Sequence, residues 1–115
     1  MSASCLFCRI AKGELPAKVI YDDEDLIAFH DIVPKAPVHF LVIPKRHIAN
    51  LYDMQIEDVA LLGKLMFTAS ELAQSQGMGK NGGRFVVNCK SDGGQAVDHF
   101  HLHVLGGREL AWPPG

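Results

Sequence analysis

His99-Phe100-His101-Leu102-His103-Val104-Leu105 is the stretch on which the reading of this 115-residue chain turns. Polar and apolar residues alternate with a period of two, the pattern of a half-buried β-strand whose successive side chains point to opposite faces. The spacing predicts a strand over 99–105 with all three imidazoles on one face and Phe100, Leu102 and Val104 turned toward a core. Packing alone would place Val or Ile at the histidine positions at lower desolvation cost, so that face is given to chemistry. Two chemistries fit it. Three imidazoles can collect a zinc ion whose bound water ionises near neutral pH. Alternatively, one neutral imidazole attacks through its unprotonated nitrogen while the other nitrogen donates to a fixed acceptor, and its neighbours hold the tautomer and bind an anion. The loop before the strand, Ser91-Asp92-Gly93-Gly94-Gln95, favours an anion, because glycine lets backbone N–H groups turn toward a phosphate oxygen.

Outward from that strand, 84–90 reads as another, with Phe85 and Val87 pointing one way and Val86 and Asn88 the other. Before it lies one long helix, from about Gln55 to Gln76, with Val59, Leu62, Met66, Ala69 and Ala73 at helical spacing and Leu61, Leu65 and Leu72 widening the stripe. Gly77 and Gly79 mark its end. The apolar run His39-Phe40-Leu41-Val42-Ile43, bounded by Pro34, Pro37 and Pro44, predicts a central strand. Val19-Ile20-Tyr21 and Leu26-Ile27-Ala28-Phe29, separated by Asp22-Asp23-Glu24-Asp25, predict a hairpin. At the N-terminus, Ser4 is placed to cap a short helix over Cys5 to Lys12, with Gly13 as its stop. The tail from Gly106 to Gly115 is punctuated by Gly and Pro and predicts no regular element. The expectation is an antiparallel α+β domain: about five strands, one long helix and a short N-terminal helix.

Composition agrees with a single domain spanning 1–115. The chain is 48% hydrophobic and 21% charged, near the averages for globular domains, and at this length it folds without a disulfide or metal staple. Eleven Lys and Arg against thirteen Asp and Glu give a net charge of −2 and no basic block to track a phosphate backbone, which disfavours a nucleic-acid partner. The N-terminal residues carry no basic leader with an apolar core, and no apolar run reaches the roughly 18 residues that would cross a membrane. The expectation is an intracellular, cytoplasmic protein. Three cysteines suit a reducing compartment, where the close pair Cys5 and Cys8 points to metal or thiol chemistry.

The triad, taken with Ala28-Phe29-His30-Asp31-Ile32, the segment Ala36 to Lys45, Val86-Val87-Asn88, Ser91 to Gln95, the segment His103 to Arg108 and the ending Trp112-Pro113-Pro114-Gly115, resembles the histidine triad (HIT) superfamily and its Hint branch of purine nucleoside phosphoramidases nearly end to end. The resemblance implies that His101 is the nucleophile, attacking the α-phosphorus to form a nucleotidyl-imidazole. His103 would contact phosphoryl oxygens and share protons, with His39 packed upstream. It implies Asp31 as acceptor for the ribose hydroxyls, Phe7, Leu15, Phe29 and His30 as walls of a purine slot, and Asn88, Gly94 and Gln95 on the phosphate side. Cys5, Cys8, His47 and His99 match the four ligands of a structural zinc in some bacterial relatives; no cofactor is implied for catalysis. The resemblance also implies a homodimer built on the long helix and the strand containing Asn88, with Trp112 reaching toward the partner's site.

Two positions depart from the family pattern. Ala96 stands where a hydroxyl residue commonly assists the leaving group, and Asp98 stands where animal Hint proteins carry an aromatic residue. Cys89 has no partner in this scheme and reads as a packing residue. The implied activity is hydrolysis of the P–N bond of purine nucleoside phosphoramidates, with a dinucleoside polyphosphate hydrolase or a non-catalytic nucleotide-binding module as alternatives.

Overall fold

A computed structural model describes residues 4–115 of the chain. Five strands form one antiparallel sheet: β1 (Val19–Asp22), β2 (Leu26–His30), β3 (Val38–Pro44), β4 (Gly83–Val87) and β5 (Leu102–Gly106), in the spatial order β1-β2-β3-β5-β4. The predicted hairpin is β1–β2, and its acidic turn is closed by the Asp23 carboxylate, which accepts the Asp25 and Leu26 N–H groups at 2.8 Å each. The apolar third strand is central, as its composition predicts, with Phe29 opposite Leu41 on one side and His103 opposite Leu41 on the other.

The alternation of strand residues divides the core in two. Leu26, Ala28, Phe40, Val42, Leu102 and Val104 face the long helix α2 (Val59–Ala73) and pack against its Leu65, Ala69 and Ala73. Ile27, Phe29, Leu41 and Ile43 face the other way and are covered by Phe7 of the short helix α1 (Leu6–Ala11). The three histidines lie on this second face. The helix is shorter than its predicted span: Ile56–Asp58 forms a 3-10 turn, and Gln74–Met78 a wider turn broken at Gly77, whose φ of 94° suits glycine.

Four expectations need correction. The buried stripe of α2 runs through Leu65, Ala69 and Ala73, while Val59 and Met66 are exposed. The helix is apolar around more of its circumference than one sheet face can cover, and the small residues Ala69 and Ala73 select the closest approach. The cap of α1 is Cys5, whose Sγ accepts the Cys8 N–H at 3.4 Å, and not Ser4. Regular pairing in the last strand begins at Leu102 rather than His99, because Phe100 gives its N–H to the Ile48 carbonyl and leaves the sheet ladder. Where a loop is predicted after β4, Lys90–Gly93 makes a helical turn, α3, closed by Gly94 in the left-handed region.

Candidate active site and thiol-histidine cluster

The shared face of β3 and β5 brings His39, His101 and His103 together, and their hydrogen-bond partners dictate where each proton sits. A backbone N–H can only donate. The Lys35 N–H donates to His39 Nδ1 at 3.0 Å, so the neutral His39 ring carries its proton on Nε2. That Nε2 lies 3.0 Å from His103 Nδ1 and 3.4 Å from Asp31 Oδ2. It donates to His103 Nδ1, which leaves the proton of His103 on its own Nε2. Burial holds both rings neutral: it lowers the pKa of His39, and it pushes His103 down to about 4, aided by repulsion from His101 and His39.

His101 has the opposite tautomer. Its Nδ1 is 2.7 Å from the His99 carbonyl, which only accepts, so Nδ1 is protonated and Nε2 holds the lone pair. Phe7 stands edge-on to the ring at 5.1 Å, and the His103 ring is 5.0 Å away. A buried imidazole with Nδ1–H fixed and Nε2 free is prepared for nucleophilic attack.

His99, at the N-terminal end of the same run, is fully buried and turns to different partners. Its Nε2–H donates to the Pro44 carbonyl at 2.7 Å, so Nδ1 is unprotonated and lies 3.4 Å from Cys5 Sγ and 3.5 Å from Cys8 Sγ. His47 Nδ1 is 3.2 Å from Cys8 Sγ. Zn–S bonds of about 2.3 Å and Zn–N bonds of about 2.0–2.1 Å separate tetrahedral ligands by about 3.3–3.8 Å; the two spacings to His99 lie in that range and the one from Cys8 to His47 just below it, so the four side chains are arranged as a Cys2His2 site needs. The Pro44 carbonyl supplies the outer partner that fixes a metal-binding imidazole. Burial and the neighbouring Cys5 push the Cys8 thiol up.

Among the described residues, a second set of possible ligand atoms converges, from Asp31, His39 and His103. It does not suit a metal. An imidazole bound through Nε2 keeps its proton on Nδ1, and at His39 that proton would face the Lys35 N–H, donor against donor. Of the two chemistries open to the triad face, a zinc ion on all three histidines would need His99, whose Nδ1 instead faces the two thiols, away from His101 and His103.

Beside the histidines lies a cleft of about 880 Å³. Phe7, Phe29, His30, Asp31 and His39 line it, as do Leu6, Ile10, Ala17, Ile32, Pro34, Pro37 and Val97. His101 and His103 lie beyond its lining, joined to it through Phe7 and His39 respectively. Leu15 is half-buried and does not line the cleft; Pro16, Ala17 and Lys18 do. Gln95 spends its amide on the loop backbone, donating to the Ala49 and Val97 carbonyls at 2.7 and 2.9 Å and accepting the Lys90 N–H at 2.9 Å. It shapes the loop rather than offering a free donor. Asn88 sits half-buried under Gly93, where an added Cβ would meet the Asn88 Cα at 3.4 Å. Gly94 and Ala96 are exposed, and Trp112 is 81% exposed on a tail held by Arg84, which donates to the Ala111 carbonyl at 2.8 Å. None of these lines the cleft. The groups that sequence reasoning misses are mostly backbone: the Lys35 N–H and the Pro44 carbonyl carry no residue signature.

The chain belongs to the HIT domain family, whose pattern matches residues 12–110. It is 49% identical to an uncharacterized HIT-like protein of Synechococcus elongatus, over the whole of both chains. A HIT family hydrolase from Legionella pneumophila shares its structure with a TM-score of 0.96 and 51% identity, covering 97% of this chain and all of that one. A histidine triad nucleotide-binding protein from Candida albicans gives 0.81 and 30%, over 96% and 83% of the two chains. A Zn-bound histidine triad family protein from Mycobacterium smegmatis gives 0.79 and 36%, over 95% and 81%.

Proposed function

We propose that the protein is a purine nucleoside phosphoramidase that cleaves the P–N bond of adenosine or guanosine 5′-phosphoramidates through a nucleotidyl-His101 intermediate. The observation that carries this reading is the tautomer of His101, whose Nδ1–H is spent on the His99 carbonyl at 2.7 Å and whose Nε2 is left as a lone pair. The Nε2 lone pair attacks the α-phosphorus, the P–N bond breaks, and the amine leaves with a proton. Water then attacks the phosphorus, the P–Nε2 bond breaks, and the nucleoside monophosphate is released. His103 Nε2–H, on the ring 5.0 Å from that of His101, keeps its single proton and donates a hydrogen bond to a phosphoryl oxygen; the proton that leaves with the amine comes from solvent and is returned to it when water attacks in the second step.

The cleft supports a nucleotide. Phe7 and Phe29, packed edge-to-face with centroids 5.5 Å apart, offer flat apolar walls for a purine. Asp31 at the cleft's edge offers a carboxylate for two ribose hydroxyls. The relatives named as a hydrolase and as a nucleotide-binding protein point the same way. A second reading, a nucleotide-binding module without turnover, draws on Ala96, which leaves the leaving-group side without a hydroxyl. Turnover of adenosine 5′-phosphoramidate by the wild type and by His101→Ala separates the two: hydrolysis lost in the variant supports the enzyme, and nucleotide binding without hydrolysis in the wild type supports the module.

Cys5, Cys8, His47 and His99 are proposed to hold a structural zinc, a reading to which the Zn-bound Mycobacterium smegmatis relative adds support. When bound it supplies charge to the two thiolates and ties α1 to the sheet; the reaction at His101 does not pass through it. A homodimer is proposed on the outer stripe of α2, where Val59, Met66 and Phe67 are exposed, together with the open edge of β4, where Phe85 is 40% exposed. Among the described residues no helix is long and apolar enough to cross a membrane.

A further inference from the structure

The excursion between β2 and β3, residues 31–37, determines which nitrogen of His39 bears the proton, and it is gripped from outside the site. Its mouth is closed by the Asp31 N–H donating to the His39 carbonyl at 3.0 Å, and Asp31 Oδ1 accepts the Val33 N–H at 2.9 Å. Inside the excursion, Lys35 directs its N–H at His39 Nδ1. What holds Lys35 in that position comes from the end of β5. Arg108 Nη2 donates to the Lys35 carbonyl at 3.0 Å while its Nη1 donates to the Glu109 carbonyl at 3.0 Å, so this surface guanidinium spends donors on two backbone carbonyls. Gly107 makes the second grip. Its φ is 88°, and a Cβ there would lie 2.8 Å from the Pro37 Cβ, a contact that side chains do not tolerate. Only glycine lets the end of β5 turn tightly enough for Pro37 to seat against it.

From these contacts we propose that Gly107 and Arg108 are positioning residues which, by clasping the 31–37 excursion, fix the tautomers of the His39–His103 pair. The inference rests on the reading of His101 and His103 as the reacting pair. Neither clasp residue lines the substrate cleft; their effect travels Arg108, Lys35, His39, His103. When the clasp is loosened, Lys35 N–H no longer blocks a proton at His39 Nδ1. His39 Nε2 then becomes a lone pair facing His103 Nδ1, which takes a proton in turn. Each ring moves one proton from Nε2 to Nδ1 through solvent, with no net change in charge. His103 Nε2 is left as an acceptor, and the donor beside the nucleophile is lost.

The test reads ring protons directly. Long-range 1H–15N correlation spectra of the 15N-labelled full chain near neutral pH assign the protonated nitrogen of His39 and His103 in the wild type, Arg108→Ala, Arg108→Lys and Gly107→Ala, with amide spectra confirming the fold. The expected wild type has Nδ1 unprotonated and Nε2 protonated in both rings. In Arg108→Ala and Gly107→Ala both rings become mixed and kcat for a phosphoramidate falls about tenfold, the scale of one lost hydrogen-bond donor to the phosphoryl group. Arg108→Lys, which keeps one donor, lies between. Unchanged tautomers in folded Arg108→Ala overturn the proposal, as does a wild type with a proton on His39 Nδ1. Should Gly107→Ala fail to fold, the Arg108 variants decide alone. Because the spectra need no substrate, tautomers that follow the variants in a protein without turnover would sink the proposed reaction and leave the clasp standing.

Discussion

At one end of the histidine run, His99 gives its Nε2 proton to the Pro44 carbonyl and offers a lone pair to two cysteine sulfurs. Across the same sheet face, His39 receives the Lys35 N–H on Nδ1 and keeps its proton on Nε2, between a carboxylate and a second imidazole. Both clusters consist of buried or half-buried histidines with acidic or thiol neighbours, and both bring ligand atoms within 4.8 Å of one another. What separates them is the backbone partner. A carbonyl behind the ring frees the inner nitrogen for a cation, whereas an N–H behind the ring forces a proton onto it and makes a relay. His101 combines the two: a carbonyl behind it, and no sulfur in front, so that its lone pair is left for an electrophile.

The largest effect expected from this contrast is at His101. His101→Ala should lower phosphoramidate turnover by about 10⁴-fold or more while nucleoside monophosphate binding stays within about tenfold, because binding is spread over Asp31 and the cleft walls. Steady-state kinetics alongside calorimetric titration check it, and near wild-type turnover would remove the nucleophile. The thiol cluster should answer in stability instead. Elemental analysis is expected to find one zinc per chain, and its removal by a chelator, or Cys8→Ala, should lower the melting temperature by about 10 to 20 °C, corresponding to about 3 kcal/mol. Loss of activity with an unaltered melting temperature would contradict the division of labour.

Acid stability sharpens the comparison from the relay side. An unfolded histidine titrates near 6.5, while folded His103 is pushed down to about 4, first by burial and then by His101 and His39. Between those values the unfolded chain binds more protons, so the stabilisation from a neutral His103 is complete above pH 6.5 and is lost as pH falls toward 4. His39, also lowered by burial, adds to the same slope. Denaturant unfolding at several pH values in that window should show a flatter dependence for His103→Asn than for the wild type; identical slopes would mean that His103 is not held neutral.

Two smaller effects test the substrate side. A 2′-deoxy phosphoramidate loses one charge-assisted bond to Asp31 and should react more weakly by about 1.5 to 3 kcal/mol; equal efficiency on both sugars would release Asp31 from that role. Ala96→Ser should raise the rate on alkylamine leaving groups by about 1 kcal/mol, the scale of one neutral hydrogen bond, and leave a fluoride leaving group unaffected. An unchanged amine rate in the folded variant would mean that delivery of the proton from solvent already suffices.

How much of this was legible in the sequence differs between the two clusters. Alternation alone placed Phe100, Leu102 and Val104 in the core and the imidazoles opposite, and the resemblance brought Cys5, Cys8, His47 and His99 together from four separated positions. The end of the last strand's pairing was not legible, because it depends on Phe100 finding the Ile48 carbonyl. Nor was the outward turn of Val59 and Met66, since a helix apolar on two sides carries no mark of which side meets the sheet. The relay escaped for a similar reason: Lys35 acts through its main-chain N–H, which every residue but proline possesses. Trp112 and Ala96, assigned to the nucleotide by resemblance, are exposed in the single chain and do not line the cleft.

The central claim is that a lone pair on His101 Nε2 does the bond-making while its neighbours hold protons or metal. Rapid quenching of the wild type during turnover of adenosine 5′-phosphoramidate, followed by peptide mass mapping, tests it most directly. The account predicts an adenylyl adduct on the peptide containing His101, formed at least as fast as the steady-state rate, absent in His101→Ala and retained in His103→Asn. Turnover at full rate with no adduct, or an adduct that survives His101→Ala, would contradict it.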